Sequence, residues 1–474
     1  MKRKSSSQTI QTLLVASILI LSATPVIQPV KADTKITINP DGSIDPPTAP
    51  IQRDGSVYAL TANINASIII QKNNTVLNGK GYLIQGNAAG QAITLYNAEN
   101  VTIKDTKITN FSAGIRLSQT LKITMTNNTI TNSTYAILAD RAPENTITNN
   151  TIQNNKWDGI FITAAPNTHI INNTVANNGK WGIYLGYSGN TTLKNNTMKA
   201  NKYNFGMSII FSHNIDNTNT VDGKPIYYWK NQQNKQVPPD AGYVAIIKSS
   251  NIEIKGLDLT KNGQGIIVVE STNIRIENSN ITEHGYYGIY LTNSNHNTIN
   301  NNTIAKHDTG AGISIASSTD NTVKNNTIKD NNTGISLFES NNNHIHHNNF
   351  INNTRQAVNY ESANDWTGGK PSSGNYWSDY KGQDTDGDGI GDIPHAIDNR
   401  NIDSYPLMHP VQKVPPDNNQ MEPTLLITAI AAIITVAVLT YLTHLIRKRK
   451  AKPATKTSQD TLAKKEPRQI KKRP

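Results

Sequence analysis

The sequence contains no cysteine. That excludes disulfide cross-links, thiolate metal sites and cysteine nucleophiles, so stability must come from elsewhere. Charge is scarce where a charged partner would need it. The formal net charge of +11 suggests a nucleic-acid or membrane partner. Its distribution points the other way. The first 32 residues hold four basic groups (Lys2, Arg3, Lys4, Lys31) and the last 28 hold twelve basic and two acidic, which leaves 29 basic against 32 acidic for residues 33–446, a net of −3. A near-neutral folded region lacks the surface a polyanion needs, so nucleic acid is not an expected partner. Residues 424–446 (TLLITAIAAIITVAVLTYLTHLI) lack Lys, Arg, Asp and Glu altogether.

That apolar stretch is long enough to span about 30 Å of hydrocarbon as a helix. Arg447-Lys-Arg-Lys450 follows at once, which places the basic tail 447–474 in the cytoplasm by the positive-inside rule. At the other end, Met1-Lys-Arg-Lys precedes an apolar core from Leu13 to Leu21 and small residues at Val30-Lys31-Ala32. This reads as a secretory signal over 1–32, with an uncleaved anchor as the alternative. The expected localisation is the cell membrane, single-pass, with residues 33–423 outside.

Between the ends the chain repeats itself. Units begin at Asn145, Asn167, Asn190, Asn251, Asn273, Asn297 and Asn321, and neighbouring starts are 22 to 24 residues apart except between 190 and 251. Each unit reads as three short alternating strands. In the third, the first inward position is expected to hold Ile115, Ile137, Ile160, Ile183, Met207, Ile266, Ile289, Ile313, Ile335 and Val358. The second is expected to hold Leu117, Ala139, Ile162, Leu185, Ile209, Val268, Leu291, Ile315, Leu337 and Tyr360. Strands of three to five residues bury nothing alone. Coiling stacks each on its equivalent about 4.8 Å above and closes one Ile/Leu/Val core. The expected fold is therefore all-β, a right-handed parallel β-helix solenoid with a C-terminal transmembrane helix; an antiparallel sandwich would not need identical residues at a fixed period. The expected segments are a cap with first rungs at 33–73, the β-helix at 74–362, a C-terminal cap at 363–409 and a linker at 410–423. Asn pairs such as Asn149-Asn150 and Asn172-Asn173 suit the turn between the first two strands, because Asn tolerates left-handed backbone and its amides can stack. This rule writes N-N-T unaided, so the sequons at Asn127, Asn149, Asn172, Asn301 and Asn325 are weak evidence of glycosylation. The array is broken at 214–250, by a binding loop or by a spacer over a core defect.

Three segments, V-D-G-K-P-I-Y-Y-W at 221–229, N-G-Q-G-I at 262–266 and G-N-Y-W-S-D-Y at 374–380 followed by D-T-D-G-D-G-I-G-D, together with the G-I-x-[LI] strands, resemble the NosD-like β-helix family. The resemblance covers about residues 50–405 and extends to β-helix domains of carbohydrate-binding proteins and sugar hydrolases, and to archaeal surface proteins. The family name implies periplasmic copper handling, but no copper motif of the family is present to carry over, and copper is not expected.

The outward positions of the third strand collect aromatics: Trp157, Phe161, Trp181, Tyr184, Tyr187, Tyr203 and Phe205, with Asp158 and Asp140 nearby and Tyr286, Tyr287 and Tyr290 beyond the interruption. Aromatic faces with carboxylate and amide rims suit sugar rings, so a glycan or cell-envelope component is the expected partner. Mutual stacking that stabilises the sheet is the competing reading. Catalysis is disfavoured, because a glycosidase needs two carboxyl groups about 5–9.5 Å apart. Asp140 and Asp158 fall at opposite strand ends, and Glu339 and Glu361 are expected in different columns. His344 and His346 share a face, as a pair of metal ligands would, but solvent-facing polar residues explain them as well. Asp384, Asp386, Asp388, the Ile390 carbonyl and Asp392 match positions 1, 3, 5, 7 and 9 of a calcium loop, with Gly389 at position 6. Position 12 would be His395, so Asp398 or Asp403 would have to supply the bidentate carboxylate. Structural Ca2+ is the expected cofactor.

Overall fold

The computed structural model describes residues 35–208, 210–368 and 374–412. The expected signal segment, membrane helix and tail lie outside these. Among the described residues every element is a strand, and no helix is long and apolar enough to cross a membrane.

The chain forms a parallel β-solenoid of about 14 turns. In the first half each turn contributes one strand to each of three faces. Thr124–Thr126, Thr146–Thr148, His169–Ile171 and Thr192–Lys194 stack on the first face. Thr129–Thr131, Thr151–Gln153, Thr174–Ala176 and Thr197–Lys199 stack on the second. A three-residue strand has one inward side chain. Met125, Ile147, Ile170 and Leu193 fill that place on the first face and Ile130, Ile152, Val175 and Met198 on the second, all essentially water-free. Ile115, Ile137, Ile160 and Ile183 align in one column of the third face. Slipping one of these three-residue strands by one residue would expose its inward apolar side chain, at a cost of about 1.5–3 kcal/mol per Ile or Leu.

The turns between the first two strands are built from Asn in pairs. The first member takes the left-handed conformation, with φ of 56° at Asn149 and 57° at Asn172. The second is buried in a ladder: Asn128 Nδ2 donates to Asn150 Oδ1 (3.0 Å), Asn150 to Asn173 (3.0 Å), Asn173 to Asn196 (3.0 Å) and Asn196 to Asn219 (2.8 Å). Each Oδ1 also accepts a backbone N–H from the preceding rung, as Asn173 Oδ1 does from Asn150. The ladder thereby satisfies turn groups that stacking would otherwise bury unpaired.

Two inward columns differ from the sequence expectation. Ile183 pairs with Phe205 and Leu185 with Met207, so Phe205 points into the core and Met207 takes the second inward place, not the first. Gly precedes the first inward residue at Ile115, Ile160 and Ile183; here Gly206 follows Phe205 and mimics that marker two positions late. Ile209 lies outside the described residues. In the last rung Ile335 pairs with Ala357 and Leu337 with Asn359, so Val358 and Tyr360 are not inward. That rung has Gln356 where the neighbouring rung has Gly334, which removes the marker. The same shift brings Glu339 and Glu361 into one column, beside the Phe338–Tyr360 stack (5.1 Å, 7°).

The interruption reverses the chain. Thr220–Val221 turns through Asp222-Gly223, both at positive φ, and Lys224–Lys230 runs back antiparallel to it. Tyr243–Ile247 and Gln264–Val269 then add in parallel. The second-face sheet of the first half therefore continues into the third-face sheet of the second half, as one 14-stranded sheet. Its middle strands are buried on both sides. Ile226, Tyr228, Tyr243, Ala245, Ile247, Ile267 and Val269 join the first core, while Tyr227, Val244, Ile246, Ile266 and Val268 join the second. Between the two readings of 214–250, the packing is that of a segment closing an open core end. The far end of the second core is closed by Trp366 and Trp377, both fully buried, with Trp377 stacked on Phe350 (4.5 Å, 11°) and its Nε1 donating to Asp403 (2.8 Å).

Candidate functional site

Outward residues of the third face form columns. One runs Arg116, Leu138, Phe161, Tyr184, Gly206; beside it Trp181 is aligned with Tyr203. The sequence reading places all the aromatics on one open strip. The structure divides them into two sets.

Trp181, Tyr184 and Tyr203 are 2%, 8% and 5% exposed and form an apolar cluster of their own with Phe161 and Tyr286. The Trp181 ring lies 5.0 Å from Tyr184, 4.8 Å from Tyr203 and 5.4 Å from Tyr286 of the second half. Glycines from both halves seat the indole. A Cβ on Gly206 would lie 2.8 Å from Cζ3, one on Gly285 2.9 Å from Cη2, and one on Gly263 3.2 Å from Cζ3. The seam is tied at its rim by Asp308, which accepts from Lys202 Nζ (2.7 Å) and from the Tyr203 hydroxyl. These rings are the joint between the halves. The Gly263 of N-G-Q-G-I and Gly285 were the sequence signal for it, and it was not readable without knowing that the chain reverses at 222–223.

The second set is open. Trp157 and Tyr187 are each 38% exposed, and Phe161 is half-buried between the sets. Trp157 stands edge-on to Tyr135 (5.4 Å, 79°), and Lys180 Nζ lies 5.7 Å over its ring. Asp158 lies beneath this surface, buried, its Oδ1 accepting from the Trp181 amide (3.1 Å). Burial raises its carboxyl to about 6, against the pull of Lys180 and the Trp181 amide. Burial, with the Asp158 charge next, pushes the Tyr135 hydroxyl up to about 12. Asp140 is not paired with Asp158; it holds Arg141 at 3.0 Å. The open surface thus offers an aromatic ring and a cation, while the one protonatable carboxyl, Asp158, is buried beneath it without a second carboxyl opposite.

Asp384, Asp386 and Asp388 bring carboxylate oxygens within 4.8 Å of one another. The loop is wound as a cation loop requires, with Gly387 at φ 73° and Gly389 at φ 87°. Asp384 accepts from the amides of Gly387 (2.7 Å) and Gly389 (3.0 Å), and Asp392 Oδ2 from that of Thr385 (3.0 Å). Neither proposed bidentate carboxylate is free to serve. Asp398 caps Asn401 through its N–H (2.9 Å) and amide (2.9 Å), and buried Asp403 holds Asn375, Trp377 and Tyr405. His395 at position 12 stacks on Trp377 (4.5 Å). The His trio is also engaged: His344 Nδ1 meets Asp365 (3.0 Å), and His346 Nδ1 meets His347 Nδ1 (3.0 Å).

Residues 208–382 match the family described as periplasmic copper-binding protein (NosD), and residues 91–237 match right handed beta helix region. A 71-residue stretch is 41% identical to a probable ABC transporter binding protein NosD of Pseudomonas aeruginosa; it makes up 15% of this chain and only 16% of that protein. Among solved structures, the mannuronan C-5 epimerase AlgE6 A-module of Azotobacter vinelandii aligns over 65% of this chain and 88% of its own at 11% identity, TM-score 0.30. The alginate lyase AlyF-OU02, in complex with G6, aligns over 74% and 82% at 12% identity, TM-score 0.27. Overlaps of that quality carry no argument about the site. Within 208–382 no three metal-ligating side chains converge among the described residues.

Proposed function

We propose that this chain, a right-handed β-helix protein with a NosD-like central segment, is an exported, membrane-held surface module that binds a glycan of the cell envelope without transforming it. The observation that carries the reading is the exposed Trp157 ring at the edge of a rigid sheet, edge-on to Tyr135 and with Lys180 over it. Sugar rings stack their C–H groups on exposed aromatic faces and hydrogen-bond at the rim. Export and anchoring rest on the segments 1–32 and 424–446. A glycan array probed with soluble residues 33–415 tests the reading. Retention on an envelope polysaccharide is expected, weakened by about 1–3 kcal/mol in Trp157→Ala with an unchanged melt. Failure to retain any glycan would sink it. The alternative, a carbohydrate-active enzyme, is favoured by the raised Asp158 carboxyl and by Glu339 and Glu361 on successive rungs. Turnover of a retained polysaccharide, lost in Asp158→Asn or Glu339→Gln, would favour that reading instead.

The acidic loop is proposed to hold structural Ca2+ through Asp384, Asp386, Asp388, the Ile390 carbonyl and Asp392, with water completing the shell where position 12 is lacking. Saturating calcium should raise the melting temperature relative to chelator, since a cation at 100 times its Kd adds about 2.7 kcal/mol to the native state. Asp386→Ala should abolish the difference. Identical melts with and without chelator in the unaltered protein would remove calcium from the site.

A further inference from the structure

The vertex between the first and second strands lies across the coil from the aromatic face. Four successive rungs present a whole N-x-T sequon there: Asn127 with Thr129, Asn149 with Thr151, Asn172 with Thr174, and Asn195 with Thr197. Each Asn is exposed and left-handed, with φ between 54° and 57°. Each Thr begins a second-face strand, in register with the next and outward. The side-chain amides of Asn149, Asn172 and Asn195 have no protein hydrogen-bond partner among the described residues, whereas Asn127 donates to Asp105. Three sequons of the second half are different. Asn301 is buried and donates to Asn278 (2.6 Å). Asn325 donates to Asn300 (2.9 Å), and its Thr327 accepts from Asn349 (3.4 Å). Asn331 and Thr333 are both buried. The fold can write N-N-T for its own needs, but it does not need a free amide and a free hydroxyl side by side on the surface.

We propose that Asn149, Asn172 and Asn195 are N-glycan acceptors and that Asn301, Asn325 and Asn331 are not. The donor class is a lipid-diphosphate-linked oligosaccharide on the outer face of the membrane. The Asn Nδ2 forms a bond to the anomeric carbon, the bond from that carbon to the diphosphate oxygen breaks, the lipid diphosphate leaves with the electron pair, and the Nδ2 proton passes to the transferase base. Rungs stand only about 4.8 Å apart, so neighbouring acceptors compete and the middle one, Asn172, is the least occupied. Glycans on this vertex leave the aromatic face open. The assignment rests on the export reading.

Full-length protein taken from its own membrane fraction is digested and its glycopeptides mapped by mass spectrometry. Glycan mass is expected at Asn149 and Asn195 and none at Asn301, Asn325 or Asn331. The triple variant Thr151→Val, Thr174→Val, Thr197→Val keeps the left-handed Asn turns and β-branched strand residues, and should lose the added mass while melting as before. Bare peptides at all three sites, equal occupancy at Asn301, Asn325 and Asn331, or a mass unchanged in the triple variant would each overturn the assignment. Failure of the export reading shows separately, as protein absent from the membrane fraction. Loss of glycan binding in Trp157→Ala leaves the acceptors untouched.

Discussion

Trp181→Ala should lower the stability of the folded region by about 3–5 kcal/mol, the range for truncating a buried Phe or Trp. The indole is 2% exposed and contacts Tyr184, Tyr203 and Tyr286. Glycines at 206, 263 and 285 are shaped around it and have no side chain with which to fill the space. The loss should fall on the seam. The midpoint of urea unfolding followed by near-ultraviolet circular dichroism should drop, and the seam amides of Asn204, which donates to the Lys261 carbonyl, and of Gly263, which donates to the Phe205 carbonyl, should exchange faster. Trp157→Ala, at an exposed edge, should leave the midpoint within about 0.5 kcal/mol of the unaltered protein. A Trp181→Ala midpoint equally unchanged would mean the seam is not a packed interface.

Acidification should destabilise the second half sharply, and substituting His284 and His307 with Asn should relieve it. Asn262, His284, His307 and Asn331 follow one another in a single buried turn column. Nδ1 of His284 accepts the Asn262 amide (3.2 Å) and Nδ1 of His307 accepts the His284 amide (3.2 Å), the part Asn Oδ1 plays elsewhere. An acceptor nitrogen cannot carry a proton, and the two rings stack at 5.4 Å. Burial therefore holds His284 down to about 4 and His307 well below its usual value. His213, buried in the interruption, is likewise held to about 4. The unfolded chain takes up protons below about pH 6.5 that the native chain refuses, so this stability is whole above 6.5 and lost as pH falls toward 4. A shift from 6.5 to about 4 corresponds to about 3 kcal/mol for His284. Asp158 opposes the trend. Its folded carboxyl, raised to about 6, binds a proton the unfolded chain has released, so its contribution is present at low pH and lost between 3.8 and 6. The variant His284→Asn, His307→Asn should therefore melt well above the unaltered protein at pH 4.5 and close to it at pH 7.5. An equal change at both pH values would show that proton refusal is not the cause.

The repeat made much of this legible beforehand. Period, inward Ile columns and Asn turns all follow from local rules, because each rung contacts only its neighbours. The errors arise where a rung lacks an equivalent neighbour. Gly206 imitates the Gly-Ile marker and displaced the column by two residues, and Gln356 removed the marker from the last rung. Trp181 and Tyr203 stand at outward positions, and outward means solvent in an uninterrupted coil. Here the hairpin at 221–224 lays a second coil against them, and nothing local to 181 or 203 reports that. The buried histidines were missed for the opposite reason. They substitute for Asn within a ladder, a role only the register discloses, while the conspicuous His344-Ile-His346-His347 run drew the eye. Asp398 and Asp403 looked available to calcium because a sequence does not show which carboxylates already cap a turn.

The division of the aromatic strip into a sealed joint and an open patch is tested most directly by hydroxyl-radical footprinting of the folded protein. Oxidation of each ring is read by mass spectrometry of its peptide. Trp157, Tyr187 and Tyr96 should be labelled at rates close to those of the unfolded chain, since all three are exposed. Trp181, Tyr184 and Tyr203 should stay protected until urea unfolds the seam. Labelling of Trp181 as fast as that of Trp157 in the native protein would contradict the joint and restore a single open strip.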